Sequence, residues 1–150
     1  MKISDALNEK DLLRLAERTV KAGDVYEMTM TEANGIKPKD GYSSRNKYFV
    51  VLGFDGDGVA YGGVIINSRI NRNLPPYIRM YHMPIRQAKY PFLQYDSFVD
   101  CLQLKIAFPQ KFREWKYLGS LDDYDLHLVN GTVKESPVES KERLSRFGLL

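Results

Sequence analysis

The stretch 47–68 constrains the fold of this chain more than any other: KYFVVLGF, then DGDG, then VAYGGVIINS. Tyr48, Phe49, Val50, Val51, Leu52 and Phe54 follow one another almost without a polar break. β-Branched and aromatic residues suit a pleated surface, and an apolar run this short has the length of a strand, not of a helix. Asp55-Gly56-Asp57-Gly58 supplies the positive φ angles of a tight hairpin turn. The second arm, Val59 to Asn67, is again apolar and β-branched, and the pair Gly62-Gly63 inside it predicts a bulge or a sharp bend. Neither arm leaves a fully polar face, so the hairpin is expected in the middle of the core.

Around it the chain reads as follows. A helix is expected over 4–22, capped by Ser4 or Asn8, with Leu12, Leu13, Leu15, Ala16 and Val20 as its apolar stripe and Gly23 as its stop. Asp24 to Met30 alternates as a half-buried strand. Thr31 to Ser44 is polar and far longer than the ~4–6-residue median connection, which favours a functional loop. Tyr77 to Met83 predicts a further strand ended by Pro84, and Phe98 to Phe108 a bulged one. Pro109 to Lys116 is a connection, after which Tyr117-Leu118 can pair briefly. A helix over Leu121 to Val129 is expected with Ser120 as cap, stopped by Asn130-Gly131, and then a short, mostly charged one over Glu139 to Phe147.

At 150 residues one domain is expected, 43% hydrophobic and 27% charged, as in ordinary globular chains. The net charge of +3 permits a polyanionic partner without requiring one. The single cysteine, Cys101, excludes an internal disulfide and a Cys-based zinc site, and its apolar neighbours predict a buried, inert thiol. Neither His82 nor His127 has a second histidine at metal spacing, so both are expected to be structural, and no metal or cofactor is expected. The DGDG turn opens like a calcium loop but lacks the later acidic ligands. Asp5, Glu9, Lys10 and Asp11 stand where a signal peptide would be apolar, and no run approaches the ~20 apolar residues of a membrane helix; the expected location is the cytoplasm.

The order of these elements resembles the PemK/MazF family of toxin endoribonucleases. Gly23-Asp24-Val25-Tyr26 is similar to the family's opening G-D-[IV]-[aromatic], and 45–52 (RNKYFVVL) to its R-P-[apolar]-V-[apolar] strand, with Asn46 in place of the proline. Val64 to Ser68 stands where the family writes an apolar strand ending in P-[IVL]-[TS]. Asp96 to Cys101 resembles its D-S-x-[apolar] element, and Leu118-Gly119-Ser120-Leu121 its L-G-x-L before the closing helix. The resemblance covers 23–130.

It implies a mainly β, α+β fold: a small SH3-like, PemK-type barrel over 23–150 with C-terminal helices, on which the N-terminal helix of 1–22 packs. It implies metal-independent cleavage of single-stranded RNA, in which the 2′-hydroxyl attacks the adjacent phosphorus. On this sequence Arg45 would neutralise the transition-state charge and could act as an acid, Ser68 would hold a phosphate oxygen, and Asp100 could serve as a base or repel phosphate. Arg69, Arg72, Lys37 and Lys39 would line the RNA groove, with Tyr42 stacking on a base. A homodimer and a separate antitoxin protein occupying the groove belong to the same expectation. Two other readings stay open: a barrel of this fold that binds RNA or protein without catalysis, and an unrelated module whose aromatic surface binds a peptide.

Overall fold

The computed structural model describes residues 8–37, 41–56 and 60–150. Six antiparallel strands form one curled sheet, an open half-barrel, in the order β4-β5-β3-β2-β1-β6. The central hairpin is there as β2 (Arg45–Phe54) and β3 (Tyr61–Asn67), flanked by β1 (Asp24–Met30) and β5 (Ser97–Ala107). The edges are β4 (His82–Ile85) and β6 (Lys116–Ser120). The turn residues 57–59 and the expected cap Ser4 lie outside the described residues.

The hairpin has apolar residues in both pleat phases because both faces of the sheet are covered. On one face Val50, Leu52, Val64, Ile66, Val99 and Cys101 pack under helices α3 (Asp123–Glu135) and α4 (Lys141–Arg146), which contribute Val129, Val133 and Leu144, with Phe147 just beyond. On the other Phe49, Val51, Tyr61 and Ile65 meet Tyr26, Met28 and Met30. That layer is closed by Ala16 of α1 (Glu9–Thr19) and by Phe112 and Trp115 at the 3-10 turn Pro109–Glu114. Asn8 caps α1, accepting from the Asp11 N–H at 2.9 Å. Each fully buried side chain of these layers contributes ~1.5–3 kcal/mol relative to exposure.

The expectation of a bulge is met at two places. Register shifts between Val51 and Gly53 on β2, and between Gly63 and Ile65 on β3. The second is large: Gly63 pairs with Lys105 and Ile65 with Asp100, so 101–104 of β5 bow out opposite Val64. Within that bow the Cys101 N–H donates to the Tyr81 carbonyl and the Leu102 N–H to Asp100, and three further backbone groups are taken up by the C-terminal segment. Glu139 accepts from the Leu104 N–H at 2.6 Å, Arg143 donates to the Leu104 carbonyl at 2.7 Å, and the Ser136 hydroxyl donates to the Leu102 carbonyl. The stretch that reads as a charged tail is therefore a clamp on the sheet.

One strand expectation and one helix expectation are corrected. Residues 77–83 do not form one strand: Pro76–Arg79 is a helical turn, α2, and β4 begins at His82 and runs through Pro84 to Ile85. Pro76 at the first helical position fixes a helical φ, and a proline is tolerated in β4 because that strand is an edge. Likewise α3 starts at Asp123 with Asp122 as its cap, and it does not stop at Asn130-Gly131 but continues to Glu135. An interior glycine costs ~1 kcal/mol, less than the burial of Val133 returns.

Candidate functional site

The polar end of the sheet opens into a cleft of ≈1340 Å³, lined by residues of both pleat phases. Small-molecule pockets have ~300–1,000 Å³, and this open cleft is larger. Strand alternation builds it. Arg45 opens β2 opposite Met30, and Arg45, Lys47 and Phe49 share one pleat phase. Phe49 pairs with Ile65, Ile65 with Asp100 and Asp100 with His82, so these side chains lie in one row across β2, β3, β5 and β4. The bow in β5 adds Lys105 to the same face, because Gly63, its partner, stands two residues from Ile65.

Of the residues expected from the sequence, Arg45, Ser68, Asp100, Arg69, Arg72 and Lys37 all line this cleft. Ser68 follows β3 directly and Arg45 begins β2, so the two come from the same end of adjacent antiparallel strands. Within β3 it is Asn67 that has the pleat phase of Ile65, and Asn67 accepts from Lys47 Nζ at 2.8 Å. Tyr42 is 70% exposed and is not part of the cleft lining; Lys39 lies outside the described residues. Arg45 is half-buried and makes no salt bridge to any described carboxylate. In particular it is not paired with Asp24, which is buried at the other end of β1 and accepts from the Lys21 N–H and the Ser120 hydroxyl.

Three lining residues were not legible as such. Lys47 lies in the apolar run of β2, and Lys105 on β5 donates to the Gly35 carbonyl at 2.8 Å. Burial pushes the Lys105 ammonium below its usual value, with the Asp100 charge opposing. His82, expected as a structural residue, is buried and its Nε2 stands 3.7 Å from Asp100 Oδ1. The loop leading into Arg45 is stapled down at Asn34, whose side chain donates to the Ile106 carbonyl at 2.7 Å and accepts from the Thr31 N–H. The Tyr48 phenol is raised by burial and by the nearby Glu27 and Tyr95, so it enters the cleft as a neutral donor.

The charge of the lining is one-sided. Lys37, Arg45, Lys47, Arg69, Arg72 and Lys105 face two carboxylates, Glu27 and Asp100, in a chain whose whole net charge is +3. Guanidinium forks and ammonium groups gathered on a concave surface hold phosphate oxygens. Among the described residues no group of three His, Cys, Asp or Glu is placed to hold a metal ion, and no helix is long and apolar enough to cross a membrane. Cys101 is fully buried, and burial raises its thiol to about 12, which leaves it without nucleophilic character.

No family model matches the chain, and no curated protein matches it. Its fold is similar to a solved structure of MazE-MazF from Deinococcus radiodurans, with a TM-score of 0.52 and 14% identity, over 76% of this chain and 92% of that one. The chain has a MazF-like α+β fold.

Proposed function

We propose that this chain is an endoribonuclease that cleaves single-stranded RNA without a metal, using the cleft at the polar end of the sheet. The observation that carries the reading is the lining itself: six cationic side chains against two carboxylates, with Arg45 and Ser68 entering from the same strand ends. The ribose 2′-oxygen attacks the adjacent phosphorus and the bond from phosphorus to the 5′-oxygen breaks. A 2′,3′-cyclic phosphate and a 5′-hydroxyl result. Asp100 accepts the 2′-hydroxyl proton, water returns one to the leaving oxygen, and Arg45 compensates the charge that accumulates on the phosphoryl oxygens. Ser68 donates to one of those oxygens, while Arg69, Arg72 and Lys37 hold neighbouring phosphates.

The MazF-like fold supports this reading, and by the same likeness the proposal includes a homodimer and an antitoxin-like protein partner. The decisive experiment incubates purified protein with an unstructured RNA in excess EDTA, which silences metal-dependent contaminants. Cleavage to cyclic-phosphate ends is expected, and Arg45→Ala should lower the rate ~10²–10³-fold, the usual loss for one preorganised donor. Equal cleavage by wild type and Arg45→Ala would refute the mechanism. Binding without cleavage would leave a non-catalytic RNA-binding barrel.

A further inference from the structure

His82 is buried on the edge strand β4 with 4% of its side chain exposed, in register with Asp100 of β5. Its two ring nitrogens have different neighbours. Nδ1 lies 3.2 Å from the main-chain carbonyl of Arg79 at the end of α2. A carbonyl can only accept, so Nδ1 carries hydrogen. Nε2 faces Asp100 Oδ1 at 3.7 Å. With Nδ1 committed, a neutral imidazole turns a lone pair toward the carboxylate, whereas an imidazolium turns an N–H and a positive charge. The carboxylate is itself held in place, because the Leu102 N–H donates to the same Oδ1 at 3.1 Å.

We propose that His82 is the positioning residue of this cleft: its second proton cancels the charge of Asp100, so that phosphodiester polyanions bind while the proton is held and are repelled when it leaves. The reading rests on the nuclease proposal only in taking RNA as the polyanion. The pair shares the cleft with groups from three elements. Asp100 and, beyond the bow, Lys105 stand on β5; Arg69 and Arg72 are in the loop after β3; α2 turns the Arg79 carbonyl to the ring. The two guanidiniums and the carbonyl are fixed in sign, and Asp100 is half-buried at the cleft. The proton on Nε2 is what changes.

The test measures binding of two probes by fluorescence anisotropy from about pH 5 to 8, the range in which imidazole titrates. One probe is a 2′-O-methyl oligonucleotide, which cannot be cleaved; the other is inorganic polyphosphate. In wild type the affinity for both should fall with pH, approaching a tenfold loss per pH unit where the linked proton leaves. His82→Asn keeps a donor for the Arg79 carbonyl and should flatten the profile. Asp100→Asn, at a partly exposed site that spares the buried ring, should flatten it at the high-affinity level. His127→Asn should leave it unchanged. A wild-type slope that persists in both His82→Asn and Asp100→Asn overturns the proposal, as does the absence of binding by either probe at any pH. Polyphosphate binding that follows this pattern, with no oligonucleotide binding, would sustain the proton pair and refute RNA as the ligand.

Discussion

Phe147 offers a stability test whose size and sign follow from the packing. Its ring is 1% exposed and lies on the hairpin where β3 has no side chain: a Cβ added at Gly62 would stand 2.5 Å from Phe147 Cγ. Truncation by Phe147→Ala removes a fully buried ring and should cost ~3–5 kcal/mol. For a chain of this length that is ~6–20 °C in Tm, at ~2–4 °C per kcal/mol, out of a total stability of ~5–15 kcal/mol. Gly62→Ala forces the ring off its seat and should cost ~1–3 kcal/mol. In the double variant the new methyl enters space that the ring has left. The combined loss should therefore be smaller than the sum by ~0.5–3 kcal/mol. Urea unfolding followed by far-UV circular dichroism and Trp115 fluorescence gives the three values, with a constant m-value as the check on two-state behaviour. Additivity to within ~0.5 kcal/mol would show that the ring is not seated on Gly62 and would refute the assignment of the C-terminal segment to the core.

Gly131→Ala is expected to act in the opposite sense: beyond its chain neighbours and the backbone of its own helix no described atom lies within 4 Å of an added Cβ, and the residue is inside α3, so the melt should show a gain of ~1 kcal/mol. Glu139→Ala leaves the Leu104 N–H without its acceptor and should cost ~1–3 kcal/mol; an unchanged urea midpoint would remove the clamp from the account of the β5 bow. Lys89 bridges Asp122 at 2.7 Å and Asp125 at 2.9 Å. Hydrogen bonds to these two carboxylates raise the Lys89 ammonium above 10.5, and the hydrogen bond to Lys89 lowers Asp122 below 3.8. The Asp122 contribution is present above 3.8 and lost as pH falls through its lowered value; the Lys89 contribution is present below 10.5 and lost as pH rises through its raised one. The difference in Tm between wild type and Lys89→Met should thus be widest between those limits and close at both ends; a difference independent of pH would refute the linkage.

The strands were the readable part of this sequence, and the reason is local. β1 was bounded to the residue because its apolar and polar side chains alternate in the sequence, and the hairpin was found, with its arms starting two residues from the observed β2 and β3, because two apolar runs flank a turn sequence. The misread elements are those in which a distant partner outweighs a local signal. Asn130-Gly131 is a good stop signal, but Val133 has a place in the core and draws α3 past it. Tyr77 to Met83 alternates like a strand, yet Pro76 at the first helical position decides the local conformation and leaves strand pairing to begin at His82.

The site divides along the same line. Arg45, Ser68, Arg69 and Arg72 are found from element order because each sits at a strand end or in the loop after one, and antiparallel pairing brings such ends together. Lys105 could not be found that way. Five residues after Asp100 in a regular strand, its side chain would point to the opposite face. The bow at 101–104 restores it to the Asp100 face, and the bow is held by Ser136, Glu139 and Arg143 from a segment whose charges read as solvated. His82 escaped for a related reason: its meaning comes from Asp100, which becomes its neighbour only through strand pairing. The phase of one strand, fixed by a clamp more than thirty residues downstream, thereby decides which charges face the cleft. A change at Glu139 should reach the cleft through Lys105, although Glu139 is not one of its lining residues.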